Sequence, residues 1–365
     1  MHSEYGEVFL FMDRSMDTKI SFFKTAKTSY ELLEQLKTRG MIIDDENFAL
    51  DVLSKVNYYR LSGYWFKFQN KWLKTTKTPD NLPPQEKEIL DNKFVEIVSF
   101  SNIAEIYKFD TKLRSLCLDA LEKIEIAIGS TICEHLCVSK GGYWFLDKQN
   151  ICDVNKKQKD GTHKTLFSYE MLLNDFDEIM RRNERTKCIK NFRNKYSNKY
   201  PPYWILSQLI TFGTLSKLYT SLQAQDKKEI AKKIGLNVDI LEKSLQTLAY
   251  VRNICAHYAR LWDNENSLIP VNIRFNATIA NSKFNYNFHG QNNNLTFFPI
   301  FYLISFFLHN LYPASKWCTL IADKISEYQV RTQTCNNVAL VSYKKMGFPD
   351  DWKQLPLFVD MLKNK

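Results

Sequence analysis

Arg252-Asn253-Ile254-Cys255-Ala256-His257 brings a fixed cation, an amide and an imidazole together within six residues. These are the groups needed to cut a phosphodiester without a metal. Histidine can move a proton near neutral pH, and arginine can steady charge that builds on phosphate oxygens. The surrounding run from Leu248 to Trp262 reads as one helix. On such a helix Asn253 and His257 are four apart and share a face, so the amide can orient the imidazole. Arg252 lies a step to the side, where its long fork can reach a phosphate. One helix of this kind supplies half a site; two facing copies would place two histidines and two arginines around one bond. The bare spacing also fits a buried histidine near a helix end beside a solvated arginine.

The elements that must position the motif read as helices. Ser29 is expected to cap one that runs through Leu32, Leu33 and Leu36 and stops at Gly40. Asp44 or Asp45 starts a second, with Phe48, Ala49, Val52, Leu53 and Val56 on one stripe, ending around 57–60. From Asp110, the set Leu113, Cys117, Ala120, Ile124 and Ile128 recurs at helical spacing, and Thr131 and His135 continue it until Gly141-Gly142. Further helices are predicted over 169–182, up to Tyr219 after the Tyr200-Pro-Pro-Tyr-Trp204 turn, and over 226–234, closed by Gly235. The motif helix spans 240–261, and two more follow at 298–311 and 315–328. Residues 75–84 mark a boundary, 152–163 a basic loop, and 263–294 a long loop or small hairpin with weak strand-like alternation at 272–276. The fold class is all-α.

The 365 residues carry 50 Lys plus Arg against 40 Asp plus Glu, a surplus of 50 − 40 = 10, and this suits a polyanionic partner. Eight cysteines lack Cys-x-x-Cys spacing. Cys133, His135 and Cys137 fall short of four zinc ligands, so no metal and no cofactor is expected, and the thiols read as buried and free in a reducing cytosol. The apolar run 295–311 is too short to cross a bilayer and residues 8–12 are too short for a signal peptide, so a cytoplasmic protein with no membrane contact is expected. Tyr58, Tyr59, Arg60 and Tyr64 interleave aromatics with a cation, as single-stranded RNA platforms do, or pack beneath a bundle. Lys227, Lys228 and Lys232, with Lys233, form an electrostatic stripe on one short helix, and Arg260 joins the candidate RNA contacts. Lys156, Lys157 and Lys159 form a shorter basic run that also suits a solvated loop.

Over most of its length the chain resembles the Abi family of bacterial abortive-infection proteins, the AbiD/AbiF group, and its motif resembles that of HEPN-type ribonucleases. The matching segments, in order, are 32–40, Asn57-Tyr-Tyr-Arg-Leu-Ser-Gly-Tyr-Trp65, Ile106-Tyr-Lys-Phe-Asp-Thr-Lys-Leu-Arg114, 121–128, 201–204, 212–219 and 252–262. The resemblance implies a HEPN-like helical bundle core at 85–262, an N-terminal helical region at 1–84, and a loop or hairpin with C-terminal helices at 263–365. It implies phage defence and an endoribonuclease with Arg252, Asn253 and His257 at its site, acting on RNA and paired with a small non-coding RNA. A non-catalytic RNA-binding protein of a similar defence system is the alternative. A second motif would include His135 but has Gly129 in place of its arginine, so a homodimer that pairs Arg252 and His257 between chains is expected.

Overall fold

The computed structural model describes residues 25–69, 92–158, 161–263 and 296–363. The expected boundary at 75–84, residues 8–12, Lys159 and the segment 264–294 lie outside the described residues. The described chain is mainly α, at 67% helix, with thirteen α-helices and one two-stranded ribbon.

Helix α1 (Ser29–Thr38) is capped one residue earlier than Ser29. The Thr28 hydroxyl accepts from the Glu31 N–H, and the Glu31 carboxylate accepts from the Thr28 N–H. Asp45 caps α2 (Glu46–Lys55), which stops at the extended Val56. Asn57 then accepts from the Tyr59 N–H and starts a separate helix, α3 (Tyr58–Trp65), where the second helix was expected to end.

Helix α4 (Phe100–Lys140) is the axis of the molecule. A reciprocal Ser99–Asn102 cap opens it, and its 41 residues contain no proline. At 1.5 Å per residue it extends about 60 Å. Gly141 ends it in the left-handed region at φ 86°. A Cβ on Gly142 would lie 2.3 Å from the Trp204 ring, so the next element can approach only a glycine there.

The helices that follow are α5 (Tyr169–Arg182), α6 (Lys187–Lys195), α7 (Tyr203–Leu206), α8 (Phe212–Ser221), α9 (Ala224–Ile234), α10 (Val238–Ala256), α11 (Phe298–Leu311), α12 (Trp317–Arg331) and α13 (Pro356–Lys363). Between α4 and α5 the expected basic loop is an antiparallel ribbon, β1 (Val154–Lys157) with β2 (His163–Phe167).

Helices α3, α9, α10, α11 and α12 pack directly on α4. The stripe Leu113, Cys117, Ala120, Ile124 and Ile128 is fully buried, as are Leu248, Val251 and Cys255 of α10. Burying one such aliphatic side chain contributes about 1.5–3 kcal/mol, so this seam contributes strongly to holding the two helices together. Residues 298–308 of α11 are buried on every side, as an apolar interior helix must be. One contiguous core runs from Leu33 to Met361 and draws on the N-terminal, central and C-terminal regions alike. Among the described residues no helix is long and apolar enough to cross a membrane.

Candidate functional site

Helix α10 carries the motif but stops at Ala256, five residues short of the expected Leu261. His257 is its C-cap, with φ −94° and ψ 12°, and Tyr258 turns left-handed at φ 59°. The Tyr258 N–H donates to the Cys255 carbonyl at 3.2 Å and the Ala259 N–H to the Ile254 carbonyl at 3.0 Å. This pair of bonds closes a helix end that usually has glycine at the left-handed position. His257 is thus an exposed residue at a helix terminus rather than one within a continuous helix.

Arg252 and Asn253 occupy the last full turn of α10. The Arg252 Nη1 donates to Asn253 Oδ1 at 3.3 Å, so the amide engages the neighbouring arginine, a pairing that helical spacing does not anticipate. Arg252 Nε also lies 3.8 Å from a carboxylate oxygen of Glu125 on α4. Burial pushes the Glu125 carboxyl above its ordinary range, against the pull of Arg252 and of the Phe212 N–H at the start of α8. Glu125 lies off the buried stripe of α4, so helical periodicity does not single it out.

The chain beyond Tyr258 is held by a buried polar cluster. Asp110 is fully buried on α4 and accepts from four donors. They are Tyr64 Oη at 2.6 Å, Arg114, the Trp262 N–H at 2.7 Å and the Leu261 N–H at 3.2 Å. Burial pushes its carboxyl up, while Arg114, Tyr64 and the two N–H groups pull it down. Arg114 also donates to the Tyr64 hydroxyl, and Arg260 donates to the Gly63 carbonyl. Lys67 pairs with Asp263 and lies 4.0 Å above the Trp262 ring. Three segments far apart in sequence therefore meet here: 57–65, 106–114 and 258–263. A carboxylate at the head of an otherwise apolar stripe, four residues before an arginine, was the available signal for this cluster.

Several candidate RNA contacts serve this interior. Tyr64 is 2% exposed and hydrogen-bonded inside, which removes it as a stacking surface. Tyr58 is half-buried, rests edge-on against Trp65, and accepts from Arg39 and Gln35. Tyr59 alone stands out, at 72% exposed. Arg60 is exposed and donates to the Tyr258 carbonyl at 2.7 Å.

His135 is elsewhere. Ten residues of α4, about 15 Å of helix, separate it from the Glu125 that faces Arg252. Its ring contacts Asp226 at 3.1 Å, and Lys140 reaches the same buried carboxylate at 2.6 Å, which ties the end of α4 to α9. A Cβ at Gly129 would meet Leu215 of α8 at 3.7 Å, so an arginine there would be directed into helix packing. On α9, Lys227 is half-buried beside Glu242, at 3.6 Å, and donates to the Thr220 carbonyl. Lys228 and Lys232 are exposed, and Lys233 lies 3.6 Å from Glu134. The ribbon sets Lys156 directly opposite Lys164, a like-charge pair that weakens a sheet unless an anion lies across it. Just before β1, the Cys152 N–H donates to the Ser221 carbonyl at the end of α8, at 2.7 Å.

The cysteines correct a further expectation: Cys117, Cys255 and Cys318 are buried free thiols, but Cys152, Cys188 and Cys335 are exposed. Among the described residues no group of three or more His, Cys, Asp or Glu side chains is placed to hold a metal ion.

These features define a class: a helical protein whose motif arginine and histidine sit at an exposed helix end braced by a buried carboxylate. The family model of Abi-like proteins matches residues 51–263, which is 213 of 365 residues and takes in α3, α4, the buried cluster around Asp110 and the whole motif. The chain belongs to this family of abortive-infection proteins. No curated protein and no solved structure matches it.

Proposed function

We propose that this Abi-like protein is a HEPN-type endoribonuclease of a phage-defence system, cutting RNA without a metal. The observation that carries the reading is the grouping of Arg252, Asn253 and His257 on the exposed last turn of α10, inside the family-matched region. The ribose 2′-oxygen attacks the adjacent phosphorus while His257 takes the 2′-hydroxyl proton. The bond to the 5′-oxygen breaks, and that oxygen must gain a proton as it leaves. Arg252 steadies the charge on the non-bridging oxygens, replacing its contact with Glu125 by one with phosphate. The products carry a 2′,3′-cyclic phosphate and a 5′-hydroxyl.

One chain supplies one Arg252–His257 pair. The second histidine, as the acid for the leaving oxygen, comes from a second copy, so the active form is a homodimer. RNA is also the proposed resident partner, in the form of a small structured non-coding RNA. A second reading, a ribonucleoprotein that binds without cutting, draws on the exposed Lys228 and Lys232 and on the Lys156–Lys164 pair.

A substrate with a single 2′-deoxyribose at the cut site separates the two readings. For the nuclease, that RNA binds normally and resists cleavage, with or without chelator. Cleavage that ignores the missing hydroxyl would refute the mechanism. An RNA that binds tightly and is never cut, in any state of the protein, would favour the second reading.

A further inference from the structure

The turn that holds His257 is built from an unfavourable residue. Tyr258 adopts φ 59°, a conformation in which a bulky side chain crowds its own backbone. The residue is 66% exposed, so burial does little to hold it there. On one side α10 is fixed by its packed seam on α4. On the other, Leu261 and Trp262 are fixed by their N–H bonds to Asp110. Between these two anchors lies the Tyr258 peptide, whose carbonyl accepts from Arg60 Nη1 at 2.7 Å. Arg60 is an exposed residue of α3, 198 positions away, and its guanidinium spans from that helix to the turn.

We propose that Arg60 is a positioning residue, a clasp that holds the left-handed Tyr258 peptide and so fixes where His257 stands relative to Arg252. The clasp rests on the nuclease reading only for its catalytic consequence; its mechanical part is independent. A bond from a charged donor to a carbonyl is stronger than a neutral one, which suits it to offsetting a strained turn. The interleaved aromatics around Arg60 suggested an RNA contact from sequence. The two roles make opposite demands on an experiment.

The test is a cycle of four full-length proteins: wild type, Arg60→Ala, Tyr258→Gly and the double variant. Glycine takes the left-handed conformation without steric cost, so Tyr258→Gly makes the clasp dispensable. Thermal unfolding reads the mechanical part. Arg60→Ala is expected to lower the melting temperature by about 2–4 °C alone and by less than about 1 °C alongside Tyr258→Gly. Additive shifts would overturn the clasp, whether or not the protein cuts RNA.

Cleavage reads the consequence. Arg60→Ala is expected to slow single-turnover cleavage by about tenfold or more, since small misplacement of a reacting group is costly, with RNA affinity unchanged. Tyr258→Gly is expected to restore most of that rate in the double variant. If Arg60→Ala instead weakens RNA binding and makes its salt dependence shallower by about one unit, Arg60 is a phosphate contact and the positioning role is wrong. Loss of cleavage in wild type under all conditions would count against the nuclease reading alone, leaving the unfolding cycle to decide the clasp.

Discussion

At the scale of single residues, two carboxylates brace the motif's surroundings, Asp110 beneath the chain that leaves it and Glu125 beside Arg252. Asp110 neutralises Arg114 and also satisfies two backbone N–H groups of the chain leaving the motif. Asp110→Ala leaves a buried guanidinium uncompensated, and a loss of about 3–5 kcal/mol is expected in urea unfolding. An ordinary buried ion pair can often be replaced by apolar residues at little cost. Here Asp110→Ala with Arg114→Met should recover only part of the loss, because the Leu261 and Trp262 N–H groups stay unpaired. Full recovery would reduce the cluster to a simple ion pair. Glu125 gives a pH test. Its folded-state pKa is raised above the ordinary 4.5 by burial, so the folded protein holds this proton more tightly than the unfolded chain. Stability from this group is therefore fully present below 4.5 and is lost as pH rises through the raised value. Glu125→Gln should be more stable than wild type at pH 8, with the gap closing towards pH 4. A gap that widens on acidification would contradict the assigned environment.

At the scale of elements, the long periodic helices and their glycine-closed ends were legible in sequence, while α3, α6, α13 and the end of α10 were not. The stripe from Leu113 to Ile128 and the closing glycines Gly141 and Gly235 stand as read, because periodicity and left-handed caps are local signals. The end of α10 was hidden, since nothing local announces that a tyrosine will take a left-handed conformation. The bonds that enforce it come from Arg60, Asp110 and Arg114, far away in sequence. The same long-range pull explains Tyr64, whose aromatic-and-cation neighbourhood fits a stacking surface equally well until Asp110 is seen to claim its hydroxyl. The motif residues themselves were legible, as residue type and spacing alone carry them. Glycines separate local from tertiary demands in a testable way. A methyl at Gly129 meets Leu215 at an ordinary 3.7 Å, so Gly129→Ala should stabilise α4 by about 0.5–1 kcal/mol. Gly142→Ala would force the Trp204 ring to move and should destabilise by about 1 kcal/mol or more. Thermal unfolding of the two variants reads both signs.

At the scale of the whole molecule, a surplus of ten positive charges suits a polyanionic partner, and α9 presents the exposed Lys228 and Lys232. RNA affinity is expected to fall steeply with salt. Lys228→Glu with Lys232→Glu should weaken binding to many sequences alike and make the log–log salt slope shallower by about two units. A slope unchanged by the double reversal would remove α9 from the interface. Since the proposed site takes one Arg252–His257 pair from each of two chains, specific activity should rise with protein concentration until the dimer is complete. The central claim is that His257 and Arg252 do the chemistry. It is tested most directly by the end groups of RNA cut by wild type, His257→Ala and Arg252→Ala, each shown to be folded. The expected result is 2′,3′-cyclic phosphate and 5′-hydroxyl ends from wild type, no cleavage from either variant, and RNA binding better kept in His257→Ala than in Arg252→Ala. Products with 5′-phosphate ends, or full activity in His257→Ala, would contradict it.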